Sequence, residues 1–113
     1  MSLIYNASSE DQLKYSSIIR KNFPNTIPVI VIPANKKLPD LTKEKFLTKS
    51  DTKAFVFYNM VRKYVKITQN QGIYLFVDNR IINGNTTIGI LFTEYNKNGI
   101  LFVKYDIENV FGN

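Results

Sequence analysis

The side chains able to do chemistry in this sequence are carboxylates, amines, hydroxyls and phenols, because cysteine and histidine are both absent from its 113 residues. Their absence excludes a disulfide, a zinc finger, a thiol or imidazole nucleophile and a histidine general base. The carboxylates do not replace them. Asp40, Asp51, Asp78 and Glu108 stand at turn, cap or tail positions, which capping and turn chemistry explain. No acidic pair is set together by periodicity, as general acid–base work requires. The sequence therefore predicts no enzyme, no metal site and no cofactor. Asn85-Thr86-Thr87 has the form of a glycosylation sequon but reads as loop chemistry, since that modification belongs to the secretory route.

What the charges can do is attract. Fifteen Lys and Arg stand against nine Asp and Glu, a net charge of +6. Residues 1–66 carry twelve of the basic and five of the acidic side chains. One part of the molecule is basic, and acidic peptides, anionic lipid or nucleic acid are the partners this favours. Nucleic acid is disfavoured by the aromatics, which fall at core positions of strands and helices instead of alternating with Lys as a stacking platform. At this length one domain is expected, and with 44% hydrophobic residues it can close a core. No run approaches the ~18 apolar residues of a membrane span. Residues 1–22 lack the basic start and apolar stretch of a signal peptide, so an intracellular protein is expected.

The elements that must position these groups follow from periodicity. Ser9 stands three residues before Gln12, a capping-box spacing, and a helix is predicted over residues 9–22, ending at Phe23-Pro24. Val29-Ile30-Val31-Ile32 is a β-branched run suited to a buried strand, and Lys45-Phe46-Leu47-Thr48 is its hairpin partner. Ser50-Asp51 offers an N-cap for a helix whose core face is Ala54, Phe57, Tyr58, Val61 and Val65, ending near Ile67 with Arg62, Lys63 and Lys66 in its final turns. Ile73 to Val77 reads as a central strand turned by Asp78-Asn79, with Arg80 to Ile82 as a short edge strand. Thr86 or Thr87 caps a short helix through Tyr95, and Asn98-Gly99 turns the chain into a last strand from Ile100 to Tyr105. The pattern is α+β, a β-grasp layout with one long helix across a sheet face.

Four collinear blocks carry a family resemblance. Ile19-Arg20-Lys21-Asn22-Phe23-Pro24 with Ile27-Pro28-Val29-Ile30-Val31 is similar to the signature of the autophagy-related protein 8 family of ubiquitin-like modifiers. Leu38 to Leu47, Tyr74 to Asn79, and Gly99 to Val103 through Glu108 to Gly112 agree in order and spacing, so the resemblance covers roughly residues 15–112. It implies a ubiquitin-like β-grasp domain over residues 25–110, an N-terminal helical arm over residues 1–24 and a C-terminal tail of residues 111–113. It also implies a modifier in place of an enzyme. A cysteine protease trims the chain after Gly112 by removing Asn113. Ubiquitin-type activating and conjugating enzymes then join the product to phosphatidylethanolamine, which moves a cytoplasmic protein to the autophagosomal or vacuolar membrane. Glycine suits this chemistry because a tail without Cβ passes a narrow channel and its carboxylate is open to activation.

The resemblance further implies docking of autophagy receptors that carry aromatic-x-x-aliphatic motifs, by strand addition near Lys45 to Thr48. Its aromatic pocket maps to Ile19, Pro28, Ile30, Lys45, Leu47 and Ile100. Its aliphatic pocket maps to Phe46, Thr48, Thr52, Phe57 and Met60, with Lys43 and Lys45 meeting acidic residues of the peptide. On residue pattern alone, Pro28, Ile30, Leu47, Phe57 and Ile100 are packing residues and the two lysines a solvated face.

Several positions depart from the family. Tyr15 replaces a pocket Glu, and Ile100 replaces a Phe. Thr48-Lys49 replaces Val-Pro, Thr52 a Leu or Met, and Tyr64 an Arg. A more polar aliphatic pocket and weaker peptide binding are expected, at ~1–3 kcal/mol for a few lost methylenes. Two alternatives keep the fold: conjugation through Gly112 to a protein lysine, as in the autophagy-related protein 12 family, or docking of peptides without conjugation.

Overall fold

A run such as Val29-Ile30-Val31-Ile32 is stable in water only if both faces of its strand are covered. The computed structural model, which describes residues 2–109, covers both. The element order is α1 (Ser9–Asn22), β1 (Thr26–Pro33), β2 (Lys45–Lys49), α2 (Ala54–Arg62), β3 (Gln71–Val77), β4 (Arg80–Ile81), α3 (Ile88–Tyr95) and β5 (Leu101–Asn109). The strands form one mixed sheet in the order β2-β1-β5-β3-β4. β1 pairs antiparallel with β2 and parallel with β5, Val29 lying opposite Leu101 and Pro33 opposite Tyr105. This is the ubiquitin-like β-grasp with an added N-terminal helix. The middle strand is β5, and β3 is an interior strand, as expected, between β5 and the short edge strand β4.

Alternation divides the strand residues between two layers. Val29, Val31, Phe46, Ile73, Leu75, Leu101, Val103 and Tyr105 join Phe57 and Val61 of α2 and Ile88 and Leu91 of α3 in the main core. On the other face Ile30, Ile32 and Ile100 form a smaller cluster against which Ile4, Tyr15 and Phe102 pack. α1 is tied down by polar side chains. Gln12, 2% exposed, donates to the Ile4 and Tyr5 carbonyls and accepts from the Asn98 amide. Ser16 donates to the Asn98 carbonyl at 2.7 Å.

Three helix ends differ from the sequence-based expectation. The cap of α1 is Ser8, one residue before Ser9, and its hydroxyl accepts from the Asp11 N–H at 3.1 Å. Neither Ser50 nor Asp51 caps α2: its N-cap is Lys53, whose side chain makes no capping bond. Instead the Ala54 and Phe55 N–H groups donate to the Thr86 and Gly84 carbonyls, while Ile88 and Gly89 of α3 donate to the Thr52 and Ser50 carbonyls. The two helix starts cap each other through backbone, with Lys53 and Thr87 bridged between them. Thr87, as expected, also caps α3 through its hydroxyl. Finally, α2 stops at Arg62 and not near Ile67: the Tyr64 and Val65 N–H groups turn back only three residues, to the Val61 and Arg62 carbonyls, and the Tyr64 carbonyl accepts from the Thr42 N–H at 3.0 Å. Lys63 and Lys66 therefore lie beyond its last turn.

Tyr105 is fully buried and its hydroxyl donates to the Pro39 carbonyl, pinning the loop between β1 and β2 to the core. Burial, then Asp40 and Asp106, hold its phenol above the usual tyrosine range. A raised folded value means the folded state holds the proton longer than the unfolded state. The stabilisation is thus complete below about pH 10 and is lost as pH rises through the folded value. Chemical denaturation between pH 8 and 11.5 is expected to show stability falling above about pH 10. The Tyr105→Phe variant is expected to start about 1 kcal/mol lower and to fall less steeply.

Candidate functional site

β2 is an end strand, bonded only to β1 among the described residues. The Val31 N–H donates to the Glu44 carbonyl at 2.8 Å. Antiparallel alternation then directs the main-chain groups of Phe46 and Thr48 towards β1, and those of Lys45, Leu47 and Lys49 outward. Proline at position 28 fits this register. It faces Leu47, a position where β1 has no N–H to give. The outer rim of β2 is thus a row of main-chain donors and acceptors in solvent.

Its side chains lead to two different layers. Lys45 and Leu47 lie opposite Ile30 and Pro28 on the α1 side of the sheet. There Ile30 and Ile100 belong to one fully buried cluster, and Ile19 is half-buried on the covering helix. Of the aromatic-pocket residues, Pro28, Ile30 and Ile100 form a buried floor, while Leu47, 40% exposed, and Lys45 form an accessible wall. Phe46 and Thr48 point to the opposite layer. Phe46 meets the Phe57 ring edge-on at 5.5 Å, and both are buried. Thr52 and Met60 beside them are half-buried. Phe46 and Phe57 are therefore core residues first; residue pattern alone suggests this for Phe57, while its reading of Leu47 as a packing residue is corrected by that side chain's exposure on the strand face. The Thr48 hydroxyl donates to the Ile27 carbonyl at 3.4 Å, so its polarity is turned inward.

Two aromatic residues that stand out as family departures have definite places. Lys45 Nζ lies 5.4 Å from the Tyr15 ring centroid, and Lys43 Nζ lies 4.9 Å from Phe46 and 5.4 Å from Tyr64. Tyr64 also meets Phe46 edge-on at 5.6 Å. Both lysines are laid over aromatic faces at the start of the open rim, Lys43 just before β2 and Lys45 as its first residue, which orients their charge without neutralising it. Burial, then Glu44, raises the Tyr15 phenol above the ordinary range, so it is a neutral donor where a family Glu would bring a charge. Val56, 42% exposed on α2, stands one turn before Met60 and was not among the residues the sequence singled out. Its signal was the four-residue spacing on a helix. Gly112 lies outside the described residues.

A sequence model of the family described as autophagy protein Atg8, ubiquitin-like, matches residues 11–112. The chain belongs to the Atg8 family. Among solved structures it is similar to Trypanosoma brucei ATG8, at 22% identity and a TM-score of 0.82, covering 96% of this chain and 95% of that one. That likeness is one of fold. It is also similar to Plasmodium falciparum Atg8 in complex with a Plasmodium falciparum Atg3 peptide, at 27% identity and a TM-score of 0.79, covering 94% and 95%. This Atg8-type chain is accordingly a ubiquitin-like autophagy protein. No helix among the described residues is long and apolar enough to cross a membrane.

The α1 side of the site depends on Gly99, whose φ of +79° is a left-handed conformation. A Cβ there would sit 2.6 Å from Ser16 Oγ and 2.8 Å from Ser16 Cβ. Gly99→Ala is expected to cost about 1–2 kcal/mol for the backbone alone and more for the clash. The midpoint should fall by on the order of 5–10 °C in thermal unfolding, with amide shifts spreading to Tyr15 and Ile100. An unchanged midpoint would show that α1 is free to move away from this turn.

Proposed function

We propose that this Atg8-type protein is a conjugated modifier that docks extended receptor peptides on the outer rim of β2. The observation that carries the docking half is parity. In an extended peptide, residues three apart project to opposite faces. An aromatic-x-x-aliphatic motif added to β2 therefore sends its aromatic residue to one layer and its aliphatic residue to the other. Leu47, Lys45, Pro28, Ile30 and Ile100 stand on the α1 side, and Phe46, Thr48, Thr52 and Phe57 on the α2 side. The main chain of the peptide pairs with the free groups of Lys45 and Leu47. Acidic residues beside the motif meet Lys43 and Lys45, a contribution that weakens with salt.

The conjugation half rests on the family and on the tail sequence. In this reading a cysteine protease removes Asn113, activating and conjugating enzymes carry the Gly112 carboxylate, and phosphatidylethanolamine receives it at an autophagic membrane. A conjugating enzyme of the Atg3 kind is proposed as a partner because the Plasmodium relative holds a peptide of one.

Mass spectrometry of the C-terminal peptide, from N-terminally tagged protein in its own cells, tests the second half. Loss of Asn113 with a phosphoethanolamine adduct on Gly112 is expected, and Gly112→Ala should abolish it. A branched lysine peptide would move the reading to protein conjugation, and an intact tail under starvation would end it. Calorimetry with an acidic Trp-x-x-Leu peptide tests the first half. Leu47→Ala is expected to weaken binding about ten-fold, or ~1.4 kcal/mol. Stability should change by under ~0.5 kcal/mol, since Leu47 is partly exposed. Equal affinity of the two proteins would remove this edge from the reading.

A further inference from the structure

An open sheet has two edges, and each is a template for further strands. In this chain the far edge is only partly covered. β4 consists of Arg80 and Ile81 and pairs with Val77 and Phe76 alone. The Ile82 N–H adds a bond to the Leu75 carbonyl at 3.0 Å. The first half of β3 therefore runs past β4, and on the side away from β5 no described strand lies beside it.

Because Leu75 directs its carbonyl outward, alternation directs the main-chain groups of Ile73 and Gln71 outward as well. Three of those groups are occupied, none by a strand. The Gln71 N–H donates to the Thr68 carbonyl at 3.2 Å. The Gln71 carbonyl accepts from the Arg62 guanidinium at 3.0 Å, and the Ile73 N–H donates to the Tyr58 phenol oxygen at 3.4 Å. Arg62 and Tyr58 are one turn apart on α2, both half-buried. They reach the positions that the acceptor and donor of an added strand would fill. On the rim of β2 the Lys49 carbonyl accepts from the Thr52 N–H at 3.1 Å, and among the described residues no side chain bonds the outward main-chain groups of Lys45 and Leu47.

We propose that Tyr58 and Arg62 close the β3 edge to added strands and so confine peptide docking to β2. The proposal rests on the docking reading above. An incoming strand at β3 would have to displace a charge-assisted bond from a half-buried guanidinium and then leave that charge without its acceptor. At Lys45 and Leu47 of β2 it meets no such bond. Specificity for one edge is thus set by obstruction at the other.

The test compares the full chain with the Tyr58→Phe/Arg62→Ala double variant, using nuclear magnetic resonance titration with an acidic Trp-x-x-Leu peptide. The wild-type protein is expected to take one equivalent, with shifts centred on residues 45–49. The double variant is expected to take a second, with new shifts at residues 71–74. Concentration-dependent changes at those same amides without peptide would support the proposal equally, as two copies pairing through the opened edge. Arg62→Lys keeps a donor for Gln71 and should restore one equivalent. Buried methyl resonances of Leu101 and Val103 report the fold. If the double variant does not keep it, Arg62→Ala alone is read in the same way. A folded variant that binds one equivalent and sediments as a monomer overturns the proposal. A wild-type chain that binds no peptide overturns the docking reading, while self-association of the variant still decides the role of the two side chains.

Discussion

The parallel pairing of β1 with β5 is the constraint on which the rest of the structure depends. It brings the first hairpin beside the last strand, so the middle of the sheet is built from the two ends of the chain. A parallel pair needs a long connection, and here that connection contains β2, α2, β3, β4 and α3. Helices α2 and α3 cover one face of the pair. The other face would be left wet without α1, which comes from before β1. Ile30, Ile32 and Ile100 are buried on that face, where Ile4 and Tyr15 of the N-terminal arm pack on them. A bare β-grasp sheet would present the same isoleucines to solvent as an apolar patch.

The strands and the buried face of α2 were legible because their signals are local and periodic. The β-branched run at Val29 to Ile32 and the spacing of Ala54, Phe57 and Val61 needed no knowledge of neighbours. The start and end of α2 were not legible, for one reason: their partners are distant carbonyls and amides. Ala54 and Phe55 bond to Thr86 and Gly84, and Tyr64 bonds to Thr42. A backbone carbonyl on another loop leaves no side-chain signature, so Ser50-Asp51 looked like the cap and the apolar spacing at Val65 looked like more helix. Val65 is indeed buried, but it reaches the core from a turn. The apolar run of β3 was legible as an interior strand, and it lies between β5 and β4, but such a run reports burial and not order in the sheet.

The site was legible in a more uneven way. The four blocks that resemble the Atg8 family suggested both residue sets, yet they did not separate buried members from exposed ones. Burial makes that distinction. Phe46 and Phe57, at 2% and 1% exposure, are held by the core whether or not a peptide is present. Truncating either would cost several kcal/mol of stability, so its effect on docking would be inseparable from unfolding. Leu47 and Lys45 are exposed, and Thr52 and Met60 half-buried. Departures from the family fall on both kinds of position. Ile100 belongs to the buried floor. Tyr15 is half-buried beneath Lys45, Thr52 is half-buried, and Tyr64 is half-buried beneath Lys43.

That distribution bears on how the basic half of the chain meets an acidic partner. A lysine on a solvated face carries ~2 kcal/mol of rotamer entropy that an ion pair in water scarcely offsets. A lysine already laid across an aromatic ring has lost part of that freedom before the ligand arrives. Lys45 over Tyr15 and Lys43 over Phe46 and Tyr64 are arranged in this way. A Glu in place of Tyr15 would pair with Lys45 and cancel its charge, and an Arg in place of Tyr64 would repel Lys43. The two tyrosines thus place two oriented cations on aromatic rings at the start of the open rim, where the family residues would place a carboxylate and a guanidinium. The selectivity this produces depends on the acidity of the sequence around a motif as much as on the motif itself.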